Sequence, residues 1–190
     1  MARSERLVQE EDIQQDIWGQ LLVLLQESKG SKLFSSILCI DEGGKHVDPL
    51  DKGRFACVNY ISQILRLVDE DLWKNSPGTW MRIVEWDLKT SGWYPIPLEK
   101  AIAGDIVIWD FFQSPSDIIA GSKGNQHIGF KWHSDSAMSM SREEPDKDES
   151  ARSPQIHPLY FDGPNRVDGP RSVLSVWTHP KLRASYERNN

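Results

Sequence analysis

The chain has 190 residues, 38% of them apolar and 26% charged, which is the size and make-up of one folded domain with short attached segments. Lys and Arg number 22 against 28 Asp and Glu, a net charge of −6, so the basic stripe of a nucleic-acid binder is missing. The longest apolar run, Leu21 to Leu25, is too short to span a bilayer, and two cysteines exclude both a disulfide scaffold and a four-cysteine zinc site. The opening M-A-R-S-E-R-L-V-Q-E-E-D is charged where a signal peptide would carry its apolar core, so the sequence reads as made in the cytoplasm without an export signal.

In chain order, apolar residues at Ile13, Ile17, Leu21, Leu24 and Leu25 predict a helix over 10–28, stopped by Gly30. L-F-S-S-I-L-C-I (33–40) is ambiguous between strand and buried helix, and 41–53 is loop chemistry. A second helix is predicted over 55–69, with Val58, Ile61, Leu65 and Val68 inward. Ser76 as N-cap with Pro77 behind it announces a third, closing before Gly92. The period then changes: 105–112, 127–132, 136–141 and 171–177 read as strands, and 156–161 as a weaker one demoted by Pro158. The charged stretch 141–154 reads as a surface loop, and 181–190 as a frayed polar tail. Of the eight tryptophans, Trp80, Trp86 and Trp109 fall in core patterns, while Trp93 in S-G-W-Y-P suits either core or the wall of a substrate groove.

Cys57 falls in the first turn of the second helix, where unpaired backbone N–H groups and the helix dipole favour a thiolate. The same position also suits a small buried hydrophobe, which is the reading for Cys39 inside its apolar run. A thiol nucleophile needs a base, and His127 opens a strand on the face it shares with Gly129 and Lys131, opposite Ile128, Phe130 and Trp132. Gly129 beside it leaves space for something to approach, although a histidine at a strand start can equally be a polar surface residue. No H-E-x-x-H, C-x-x-C or aspartate-rich loop points to a metal, and no cofactor motif is present.

F-A-C-V-N-Y-I-S-Q-I-L (55–65), S-G-W-Y-P-I-P-L (91–98), A-G-D-I-V-I-W (103–109) and H-I-G-F (127–130) stand in an order that resembles the NlpC-type cysteine peptidases and their CHAP amidohydrolase relatives, within the papain-like superfamily. The resemblance organises about residues 50–180, with roughly seventy residues between Cys57 and His127. It implies an α+β papain-like domain over 33–180, helices packed on a mostly antiparallel sheet, behind a helical segment at 1–32. It further implies that Cys57 is the nucleophile, His127 the base, and the Gly104–Asp105 turn a structural start to its strand. The substrate implied is a peptide or peptidoglycan fragment cut at an amide bond, which without an export signal requires a secretion or lysis system, a fusion partner or an intracellular substrate. Such relatives carry a polar residue on the following strand to orient the imidazole; counting along H-I-G-F-K-W-H-S-D-S-A-M-S puts Ser139 there, with Asp135 and His157 as substitutes. The Asp that relatives often place before the nucleophile is Ala56 here. The alternative from another class is an inactive binding module on the same fold. Acyl transfer to an amine or lipid ranks below both, since relatives that do it place the histidine before the cysteine.

Overall fold

The computed structural model describes residues 15–37, 39–50, 56–75, 81–112, 125–141, 152–162 and 170–190. Ile13, Ser76, Pro77, Trp80 and most of the charged stretch, 142–151, lie outside them. In chain order the described elements are α1 (Ile17–Ser28), β1 (Cys39–Ile40), β2 (His46–Val47), α2 (Ala56–Val68), α3 (Met81–Thr90), β3 (Tyr94–Ile96), β4 (Ile106–Phe112), β5 (Asn125–Lys131), β6 (Ser136–Ser141), β7 (Ser153–Pro158), β8 (Val173–Thr178) and α4 (Pro180–Asn189). The architecture is α+β.

Strands β3 to β8 form one sheet in the order β3-β8-β4-β5-β6-β7, and every pairing in it is antiparallel. The weak strand expected over 156–161 and demoted by Pro158 lies three residues earlier, as β7, and is paired to β6 from Ser153 to Pro158. Pro154 and Pro158 are tolerated because β7 is an edge strand. The pairing of Ser141 with Ser153 also makes both ends of the expected 141–154 loop part of the sheet. The segment expected to be wholly loop, 41–53, contributes β2, which pairs with β1 in a small hairpin.

One core lies between the helices and one face of this sheet. Ile17, Leu21 and Leu25 of α1, Val58, Ile61, Ile64 and Leu65 of α2, and Ile106, Ile128, Phe130 and Met138 of the sheet meet there. Burying one such aliphatic or phenyl side chain stabilises the fold by about 1.5–3 kcal/mol, so α2 is held by several of them. Polar contacts fix its seating: the Tyr60 hydroxyl lies 2.8 Å from the Ser28 hydroxyl and 3.1 Å from the sulfur of Met138. The Tyr60 ring meets Phe130 edge-on at 5.9 Å. Tyr60 lies one helical turn beyond Cys57, and Phe130 three residues beyond His127, so this contact sets the start of α2 against the start of β5.

Two expectations fail for physical reasons, and a third residue, Trp93, takes the core one of its two readings. Residues 181–190 do not form a frayed tail: they are helix α4, begun by His179 as N-cap and Pro180 behind it. That helix docks on α1 through Ser185, whose hydroxyl donates to Asp16 at 2.8 Å, and through Tyr186 against Trp18 at 5.2 Å. Trp86 is not core but 60% exposed, because α3 turns Val84 and Leu88 inward instead. Trp93 does not line a groove: it is 3% exposed, and its indole N–H donates to the Leu72 carbonyl at 2.7 Å.

Gly104 and Asp105 lead into β4. Gly104 has φ +94°, and an added Cβ would come within 2.9 Å of Leu21, so the turn needs glycine. The buried Asp105 carboxylate accepts from the Ile102 N–H and from Arg183, both at 2.8 Å, and burial raises its carboxyl to about 6.

Candidate active site

Cys57 is the second residue of α2, and its sulfur packs beside β5. The surrounding protein pushes the thiol above its ordinary value of 9.0, because burial disfavours the charged form. The backbone N–H groups of Val58, Ile128 and Cys57 itself act on the sulfur in the opposite sense, as does the charge of Arg152. A helix start alone suggested a ready thiolate; desolvation outweighs it here. Ile128 is the residue after His127, so the sulfur lies against the strand backbone one residue along from the histidine, where the helix start meets the strand.

His127 lies on the other face of its strand from Ile128 and Phe130, as the alternation requires. That face is not open: His127 is only 7% exposed and lies against a second apolar group that includes Trp109 and Phe161. Trp109, its cross-strand partner on β4, stacks beside the imidazole at 5.7 Å, and Phe161 meets it edge-on at 5.6 Å. Trp109 is itself held by an indole N–H donated to the Leu159 carbonyl at 2.6 Å.

Gly129 does leave room beside His127, and other side chains of the chain fill it. A Cβ there would stand 2.7 Å from the Ser139 Cβ, 2.5 Å from the Met138 carbonyl oxygen and 3.0 Å from the Trp109 ring. The glycine therefore lets β6 and Trp109 close on the histidine.

Behind His127 stands a row of polar groups. Its Nε2 lies 2.8 Å from the Ser139 hydroxyl, which lies 2.7 Å from Nε2 of His157. Nδ1 of His157 is 2.8 Å from the Pro158 carbonyl. Ser139 is fully buried, and His157 is 2% exposed. Three strands thus contribute one group each: β5 His127, β6 Ser139 and β7 His157. Ser139 and His157 were alternatives for one role in the sequence reading, and the structure brings both together. Asp135 is in the turn before β6, where its carbonyl accepts from the Leu159 N–H at 2.7 Å.

Phe161 seals this row, stacked on His157 at 4.0 Å. It achieves this with φ +56°, a left-handed conformation costing a non-glycine residue about 1–2 kcal/mol. No sequence signal marked Phe161, because a local turn conformation places it.

His46 is in the β2 hairpin, His133 in an exposed turn and His179 at the head of α4, so none joins Cys57. Cys39 is half-buried in β1. Two surface grooves, of about 710 and 510 Å³, have neither Cys57 nor His127 in their described walls, and Tyr160 is common to both. Among the described residues no three His, Cys, Asp or Glu side chains stand close enough to hold a metal ion. Nor is any described helix long and apolar enough to cross a membrane.

The groups available are a partly buried thiol at a helix start, beside the backbone N–H that follows His127, and an imidazole backed by polar groups. Compared with family models, with curated proteins and with solved structures, the chain finds no match.

Proposed function

We propose that the protein is a cysteine hydrolase of papain-like arrangement that cleaves an amide bond through a thioester. The observation that carries this reading is the conjunction at one place of the Cys57 sulfur beside the Ile128 N–H and His127 bonded from behind by Ser139. A histidine serving only as core would not need a second buried histidine behind its serine partner.

In this reading Cys57 Sγ attacks the substrate carbonyl carbon while its proton passes to His127. Because burial holds the thiol protonated, transfer to the imidazole is what makes the nucleophile. The C=O electrons move onto oxygen, and the N–H of Cys57 at the start of α2 is a suitable donor to that oxyanion. As the C–N bond breaks, His127 returns the proton to the leaving amine. Water then attacks the thioester, His127 takes its proton, and the acid leaves as the C–S bond breaks.

The substrate class that goes with this reading is a peptide, in the first instance a cell-wall peptide. The test is incubation of the purified chain with peptidoglycan fragments, with Cys57→Ala as control. Amine release that disappears in the variant supports the reading; no release, and no acyl adduct with an amide-mimicking thiol trap, contradicts it.

A second reading, an inactive binding module, draws on the raised thiol pKa and on Ala56 at the position before the cysteine. It requires Cys57 to react no differently when His127 is removed.

A further inference from the structure

The row behind His127 has a direction, and a backbone group sets it. The Pro158 carbonyl can only accept, so the contact from His157 Nδ1 at 2.8 Å is an N–H donated to it. That carbonyl is fixed in place, since it also accepts the Phe161 N–H at 3.0 Å across the turn. A neutral His157 with its proton on Nδ1 offers a lone pair at Nε2, so across 2.7 Å the Ser139 hydroxyl donates to it. The hydroxyl has one proton, so at its other contact, 2.8 Å away, Ser139 accepts from His127 Nε2–H. Neutral His127 then carries its proton on Nε2 and its lone pair on Nδ1.

We propose that His157 is a positioning residue: acting through Ser139, it fixes His127 in the tautomer whose Nδ1 can accept a proton from Cys57. The proposal deepens the hydrolase reading and rests on it for the proton's source, but the tautomer itself is a property of the folded chain. It also explains why the third position is a serine. A hydroxyl can accept from one imidazole while donating to another, and so passes on an orientation set two strands away. An asparagine at Ser139 would orient His127 from its own amide and leave His157 without that task. The strained turn at Phe161 contributes by stacking the His157 ring at 4.0 Å and supplying the N–H that holds the Pro158 carbonyl.

The experiment is long-range ¹H–¹⁵N correlation of the histidine rings in the full ¹⁵N-labelled chain at pH 8, with signals assigned by single substitutions. The expected result is His127 as the Nε2–H tautomer and His157 as the Nδ1–H tautomer. In Ser139→Ala and in His157→Phe, which keeps a ring against Phe161, His127 becomes a tautomer mixture. Cys57 alkylation at pH 7 then slows by about ten- to a hundredfold, less than when the group holding a catalytic histidine is replaced outright, because the mixture still supplies some competent base. His157→Gln, whose amide oxygen still accepts from Ser139, retains the Nε2–H form. His127 as Nδ1–H in the unsubstituted chain overturns the proposal, with no variant needed. An unchanged His127 signal in folded Ser139→Ala and His157→Phe overturns it equally. If the tautomers are as stated but no amide is cut, the hydrolase reading fails and the positioning role stands.

Discussion

Two buried histidines in this protein have similar exposure and opposite surroundings. His179, 6% exposed, is bound on both nitrogens by backbone groups: Nε2–H donates to the Ser91 carbonyl at 3.0 Å, and Nδ1 accepts the Lys181 N–H at 3.2 Å. Its tautomer is locked, and gaining a proton would break the cap of α4. His127, 7% exposed, meets a hydroxyl at Nε2 that accepts its N–H, a contact that persists when the ring gains a second proton. Burial alone therefore does not separate a structural histidine from a candidate base. What separates them is whether the partners permit a change of protonation, and whether a nucleophile stands near.

The comparison breaks most visibly in activity. Cys57→Ala is expected to abolish amide hydrolysis, and His127→Ala to reduce it by about 10²–10⁴-fold, whereas His179→Asn leaves the rate within about twofold. Rates of amine release from a peptide substrate check all three, and an active His127→Ala chain would remove the distinction.

Next in size is a change in packing. Gly129→Ala pushes a methyl into the Met138 carbonyl, Ser139 and Trp109, and is expected to destabilise the fold by about 1–3 kcal/mol. Chemical denaturation measures this, and a slower Cys57 alkylation in the same variant would show that Ser139 had been displaced from His127. His179→Ala is expected to cost about 0.5–2 kcal/mol through loss of the cap, with alkylation of Cys57 unchanged.

The smallest effect is a pH dependence. Burial lowers the pKa of His179 from its ordinary 6.5, so the unfolded chain binds the proton more readily than the fold. Stability from the neutral ring is fully present above pH 6.5 and is lost as pH falls through the depressed folded value. Asp105, raised to about 6, titrates with the opposite sign, so the comparison must be between chains. The Tm of the unsubstituted protein should fall more than that of His179→Asn between pH 7.5 and 5; parallel curves would refute the assignment.

Much of this was legible in the residues. The inward face of α2 at Val58, Ile61, Leu65 and Val68 is buried as its spacing predicts, and the change from a period of 3.6 to one of 2 marks β4, whereas the three-residue β3 before it is too short to show a period. Counting along the strand put Ser139 beside His127 because strand alternation is strict. The double role of Ser139 and His157 was not legible, because which strand follows β6 depends on pairing across a long connection, and Pro158 argued against it. Helix α4 was missed because its composition is polar, although His179 followed by Pro180 is the same start signal that Ser76 and Pro77 give. Trp93 was undecidable from S-G-W-Y-P, since only the fold reveals that the Leu72 carbonyl waits for its N–H.

The central claim is that Cys57 becomes a nucleophile by giving its proton to His127. Its most direct test is the rate of Cys57 alkylation against pH, followed by peptide mapping so that Cys39 is counted separately, with Cys57→Ala as blank and His127→Ala as probe. The account predicts reaction in the unsubstituted chain near pH 7, because His127 takes the proton of a thiol that burial otherwise holds protonated, and in His127→Ala only above the ordinary thiol value of 9.0. Superimposable pH profiles for the two chains would contradict it and leave Cys57 a partly buried residue packed against the core.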